Sequence, residues 1–151
     1  MENAEIAKTL YRSFERFRHV MKGPPSFTDL KGSEMGILFH IKGGFTGETL
    51  GVKVSELSSR MHVTSPSITQ LVTALEERGL VERKMDLDDR RSVLVSLTEK
   101  GNAITVKAEE HMMAVLTGLV EYLGAEKSLM LTDIMKDVFE YFNKLSNKGV
   151  N

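Results

Sequence analysis

Between Leu57 and Thr98, two short helical patterns, a tight turn and a pair of strands follow one another with little spare chain. The first helical pattern runs to about Met61, with Ser55 as its N-cap. Thr64 or Ser65 caps the second, and Pro66 falls in its first turn, where proline is tolerated. Gly79 supplies the stop. Leu80–Lys84 and Val93–Leu97 read as the strands of a hairpin, with the polar run between them as its loop. A helix fits the major groove of B-DNA, and a cationic ribbon tip fits the minor groove. The order of elements therefore points to a partner as well as to a fold.

At about 100° per residue from Ser65 onward, Ile68, Leu71, Val72 and Leu75 share one side of the second helix and face a core. Pro66, Gln70 and Thr73 point the opposite way, with Ser67 and Thr69 on the flanks. The outward face is small, polar and uncharged, and no carboxylate occurs from Leu57 to Leu75. Gln70 can donate and accept at once, which suits adenine N6 and N7. Thr69 and Thr73 suit a thymine methyl or a phosphate. Ser65 and Ser67 lie where the N–H groups of a helix start attract phosphate. An amphipathic helix with a solvated polar face has the same pattern, and the hairpin that follows is what favours DNA. Arg83, Lys84, Arg90 and Arg91 bracket a loop holding Asp86, Asp88 and Asp89. Asp89 is placed to orient the Arg91 guanidinium, which leaves Arg90 to project toward a narrow, negative groove.

The bulk charge gives no such hint. The 151 residues carry a net charge of −1, where a nucleic-acid binder usually shows a basic surplus. The absence of cysteine excludes disulfides and thiol-based sensing. Charges run through the first 22 residues, so no signal peptide is expected. No stretch approaches the roughly 18 apolar residues of a membrane span. A cytoplasmic protein without membrane contact is expected.

Helical patterns flank the middle. Ile6, Leu10, Phe14, Phe17 and Met21 recur at steps of three and four, and Gly23-Pro24-Pro25 ends that helix. A second helix is expected from about Leu30 to Lys42, then a loop at 43–47 and a short strand at Val52-Lys53-Val54. Thr98 caps a long helix that Gly124 stops, and a last helix over about 126–145 carries Leu131, Met135, Val138, Phe142 and Leu145. Apolar faces on both terminal helices need a cover, and a second copy of the chain is the simplest one.

The middle of the chain resembles the MarR family of transcriptional regulators. The likeness runs through Leu57, Val63, Leu71, Val72 and Leu75-Glu76-Glu77-Arg78-Gly79-Leu80-Val81. It continues from Asp89-Arg90-Arg91 through Leu97-Thr98 to Gly101, and Asp89-x-Arg91 followed by Leu97-Thr98 is its most specific mark. The resemblance implies a mainly α fold with a small β-hairpin wing: a winged helix-turn-helix in an obligate-type helical homodimer. Segments 1–30 and 125–151 would be dimerisation helices. Segment 31–124 would be the DNA-binding region with a long linking helix, all within one intertwined domain. It further implies a pseudo-palindromic operator, repression, and release by a small aromatic or lipophilic effector that changes the spacing of the two reading heads. The residues expected to meet DNA are Ser65, Pro66, Ser67, Thr69, Gln70, Thr73, Arg83, Lys84, Asp89, Arg90 and Arg91. Two positions depart from the family pattern. His62 stands where a turn glycine is common, so a differently shaped turn is expected, and Gln70 stands where arginine is frequent.

Other classes find less support. No nucleophile–base set, glycine-rich phosphate loop or metal cluster suggests an enzyme or a cofactor. Glu109-Glu110-His111 is the best metal candidate, but no second histidine follows one turn later, and it reads as a solvated face. Tyr11, Phe14, Phe17, Met112 and Met113 can line an effector cleft or simply be core or interface. The remaining alternative is a winged-helix protein-interaction module, which has no need for paired arginines at the hairpin tip.

Overall fold

The computed structural model of the chain describes residues 2–20, 27–44 and 51–147. The Gly23-Pro24-Pro25 break, Met21 and the 45–47 part of the expected loop lie outside the described residues. Contacts divide the chain into two units, Met1–Lys107 and Ala108–Asn151.

The first unit begins with helix α1, Glu2–Val20, none of whose residues is buried. Helix α2 covers Gly32–Gly44, two residues later than the pattern suggests, so Leu30 precedes it and is nonetheless fully buried. The start of α2 is set by Glu34, whose Oε2 accepts the N–H of Lys31 at 2.7 Å, the reciprocal half of a capping box. Strand β1, Val52–Lys53, leads directly into helix α3, Val54–Met61. The N-cap of α3 is Lys53, not Ser55, and it makes no side-chain capping bond. His62 closes α3 in the left-handed region, with φ 53° and ψ 41°, and its N–H reaches back to the helix carbonyls. The turn thus takes the left-handed form usually given to glycine, which histidine adopts at some cost.

Helix α4, Ser65–Glu77, is capped by Thr64, whose side chain accepts the N–H of Ser67. Strand β2 is Val81–Met85 and strand β3 is Val93–Leu97. The hairpin is therefore shifted by one residue at its start, and Leu80 belongs to the connection. The sheet has three strands in the order β1-β3-β2, all antiparallel, with Val52 opposite Val95 and Arg83 also opposite Val95 across the other edge. The β1 pairing was not expected.

Ile37, Leu38 and Ile41 of α2, Leu57 of α3, Ile68, Val72 and Leu75 of α4, and Val52, Val81 and Val95 of the sheet close one core. Each such side chain contributes roughly 1.5–3 kcal/mol on burial. Leu71, expected in this group, is only half-buried. Helix α5, Glu99–Leu123, starts in this unit, and Gly124, at φ +82°, ends it in the second. Helix α6, Ala125–Asn147, has no buried residue, and the stripe of Leu131, Met135 and Phe142 lies exposed in the single chain. Among the described residues no helix is long and apolar enough to cross a membrane.

Candidate nucleic-acid interface

Helix α4 presents Ser65, Pro66, Ser67, Thr69 and Gln70 to solvent while Ile68, Val72 and Leu75 are buried beneath. Thr69 Oγ1 donates to the Ser65 carbonyl at 2.9 Å, and Thr73 Oγ1 donates to that of Thr69 at 2.8 Å. Both hydroxyl protons are thus held by the helix. With its proton so held, the exposed Thr69 hydroxyl is left as an acceptor, which does not suit a phosphate oxygen. The Gln70 amide has no hydrogen-bond partner among the described residues. Its donor and acceptor are both available to a base edge.

Thr73 departs from the expected outward position. It is half-buried, because the Arg83 guanidinium lies over it with Nη2 2.9 Å from Thr73 Oγ1. The same nitrogen reaches the Thr69 carbonyl at 3.3 Å, and Nη1 meets Glu76 Oε1 at 3.1 Å. The Arg83 N–H completes the set on Glu76 Oε2 at 3.2 Å. Arg83 shares Val81's face of β2, turned toward α4, and so is taken up inside the reading head. Lys84 occupies the other face and pairs with Glu82 at 3.1 Å.

The wing tip is ordered by its aspartates. Asp86 Oδ1 accepts the N–H of Asp88 at 3.0 Å, and the Asp86 N–H donates to the Ser92 carbonyl at 3.0 Å. Asp89 does not bond the Arg91 guanidinium, contrary to the sequence expectation. Its Oδ1 accepts the backbone N–H of Arg91 at 3.1 Å and its Oδ2 accepts the Ser92 hydroxyl at 2.8 Å. A two-residue spacing favours this local turn over a side-chain ion pair. The Ser92 hydrogen bond, then the Arg91 N–H, hold the Asp89 carboxyl below its ordinary pKa, with a smaller pull from Lys53. The Arg90 and Arg91 guanidinium groups have no ion pair or hydrogen bond among the described residues.

Lys53, which the sequence did not single out, stands with Ser55, Thr69, Arg83, Arg91, Ser92 and Val93 around a groove of about 350 Å³ between α4 and the wing. No carboxylate lines it. The sequence puts the N-cap at Ser55 and so hides this place; as the N-cap of α3, Lys53 stands where backbone N–H groups already favour anions. Among the described residues no cluster of three metal-ligating side chains occurs.

This geometry has counterparts in known proteins. A sequence profile described as the MarR family matches residues 48–93. The HTH-type transcriptional regulator FarR of Neisseria gonorrhoeae is 29% identical over 92 residues, 61% of this chain and 63% of that protein. The organic hydroperoxide resistance transcriptional regulator of Bacillus subtilis is 34% identical over 79 residues, 52% of each chain. The chain thus spans between about half and just under two thirds of these curated relatives. A MarR-like transcriptional regulator from Thermotoga maritima, known from its crystal structure, is 27% identical with a TM-score of 0.65, over 95% of this chain and 98% of that one.

Proposed function

We propose that this chain is a sequence-specific transcriptional regulator of the MarR type that binds double-stranded DNA as a homodimer, represses, and is released by a small-molecule effector. One observation carries the reading: an exposed, carboxylate-free helix face and two wing-tip guanidinium groups, unpaired among the described residues, lie in the same unit. The helix enters the major groove, where Gln70 reads a base edge. The wing reaches the adjacent minor groove with Arg90 and Arg91. Lys53 and the start of α3 receive a phosphate in between.

Dimerisation is supported by the uncovered apolar faces. In the single chain Ile6, Leu10, Phe14 and Phe17 of α1 are about half exposed or more, and so are Ile134, Met135 and Phe142 of α6. Soluble proteins seldom leave such faces bare, and a second copy covers both at no cost in new sequence. Segments 1–30 and 125–151 are accordingly the dimerisation helices. The effector is a small aromatic or lipophilic compound. Work on chromosomal DNA places the protein in the cytoplasm, and no catalysis is assigned to it.

The test is selection from a random-sequence duplex library with purified protein at moderate salt. An enriched inverted repeat with half-sites about one helical turn apart supports the reading. No enrichment, with binding that vanishes as salt rises, leaves phosphate attraction alone and favours a protein-interaction module.

A further inference from the structure

Arg83 is a cation in the middle of the proposed DNA-facing surface, yet both terminal nitrogens of its fork are engaged by protein. Two guanidinium nitrogens and its own N–H serve Glu76, the Thr69 carbonyl and Thr73 Oγ1 at 2.9–3.3 Å. Its side chain is 26% exposed. Every one of these partners is on α4, while Arg83 itself is on β2. The contact therefore runs between the helix that reads and the ribbon that bears the wing. The intervening connection, residues 78–80, is itself bonded to the end of α4, with the Leu80 N–H donating to the Leu75 carbonyl at 2.9 Å, and Arg83 adds a second tie farther along the strand. Arginine suits the task because its planar fork holds several acceptors in a fixed geometry, which lysine cannot do.

We propose that Arg83 is a positioning residue: it locks the angle between α4 and the hairpin, so that helix and wing reach their two grooves together. The proposal rests on the DNA-binding reading for its consequence, but not for its geometry. A phosphate-contacting Arg83 would behave differently. It would strengthen binding to any duplex, lysine would replace it, and removing the Glu76 carboxylate would release it and tighten binding.

The experiment uses the full chain and three variants, Arg83→Lys, Arg83→Gln and Glu76→Gln. Residual dipolar couplings are measured for the amides of α4 and of the hairpin, and affinities for a selected duplex and a scrambled one. For the unaltered chain, helix and hairpin fit one alignment frame. In all three variants the hairpin couplings depart from that frame, which supports the lock. A single frame in every variant overturns it. The selected-to-scrambled affinity ratio is expected to fall about tenfold in all three, with scrambled-duplex affinity changed less than twofold. A loss of fold stability alone would leave that ratio unmoved. Arg83→Lys equal to the unaltered chain, or Glu76→Gln binding both duplexes more tightly, overturns the proposal in favour of a direct phosphate contact. If the unaltered chain selects no duplex, the DNA-binding reading fails, and the couplings still decide the lock.

Discussion

Thr98 joins the end of one helix to the start of another: its hydroxyl donates to the Gly79 carbonyl at 2.6 Å and accepts the Gly101 N–H at 3.0 Å. Its own N–H donates to the Leu80 carbonyl at 3.1 Å. One side chain thus satisfies an orphan carbonyl beyond α4 and an orphan N–H in the first turn of α5. Thr98→Val keeps the shape and removes both bonds. It is expected to lower stability by about 1–2 kcal/mol, read from urea unfolding. Thr98→Ser, which keeps the hydroxyl, should lose much less.

Gly101 sits against the same connection. A Cβ there would stand 1.9 Å from the Leu80 carbonyl oxygen and 2.9 Å from its carbon, and this oxygen belongs to backbone that cannot rotate away. Helix propensity alone would make Gly101→Ala stabilising by about 1 kcal/mol. The overlap is the larger effect, since crowding of this kind costs roughly 1–3 kcal/mol or more. A net loss of stability in thermal or urea unfolding is therefore expected, and a gain would mean that α5 sits farther from Leu80.

Acid should weaken the tie between the segment before α2 and the end of α4. Arg78 hydrogen-bonds Asp29, and that bond, with the residue's own backbone N–H second, holds the Asp29 carboxyl below its ordinary pKa. A depressed folded value means that the unfolded chain binds the proton more readily. The stabilisation is therefore present above the unfolded carboxylate value of about 3.9 and is lost as pH falls through the lower folded value. Urea midpoints of the unaltered chain and of Asp29→Asn should differ at pH 7 and converge as pH drops below about 4. Curves that stay parallel to the lowest pH would show that the carboxylate charge is not what matters.

Much of this was readable locally. Thr64 and Thr98 announce helix starts, Gly79 and Gly124 announce stops, and the change from helical to strand period locates the hairpin. What escaped depended on partners far away in sequence or on a competition between two nearby ones. A two-residue β1 carries no pattern that chooses Val95 as the partner of Val52. The charge of Arg83 groups it with the wing, whereas strand alternation from the buried Val81 puts it on the inner face. Asp89 had a guanidinium and a backbone N–H both within reach, and the N–H, fixed two residues on, required less ordering of side chain. His62 adopts the left-handed conformation that lets its N–H close on the Ser58 and Ser59 carbonyls in the short connection from α3 to α4.

The wing offers the sharpest test of how the chain meets DNA, because charge and order predict opposite signs at Asp89. If only charge counted, Asp89→Ala would bind more tightly, having lost a carboxylate beside a phosphate backbone. In the structure that carboxylate holds the Arg91 N–H and the Ser92 hydroxyl, so its removal loosens the tip that carries Arg90 and Arg91. Asp89→Ala is expected to bind a selected duplex several-fold more weakly. Arg91→Ala leaves those turn bonds in place, since they use the backbone of Arg91, and so removes the cation alone. It should weaken binding to all duplexes and reduce the slope of log K against log salt by about 1. Gln70→Ala should instead relax preference at one base pair in each half-site, at about 1–3 kcal/mol, with the salt slope unchanged. Tighter binding by Asp89→Ala would mean that the tip orders itself on DNA without help from its aspartate.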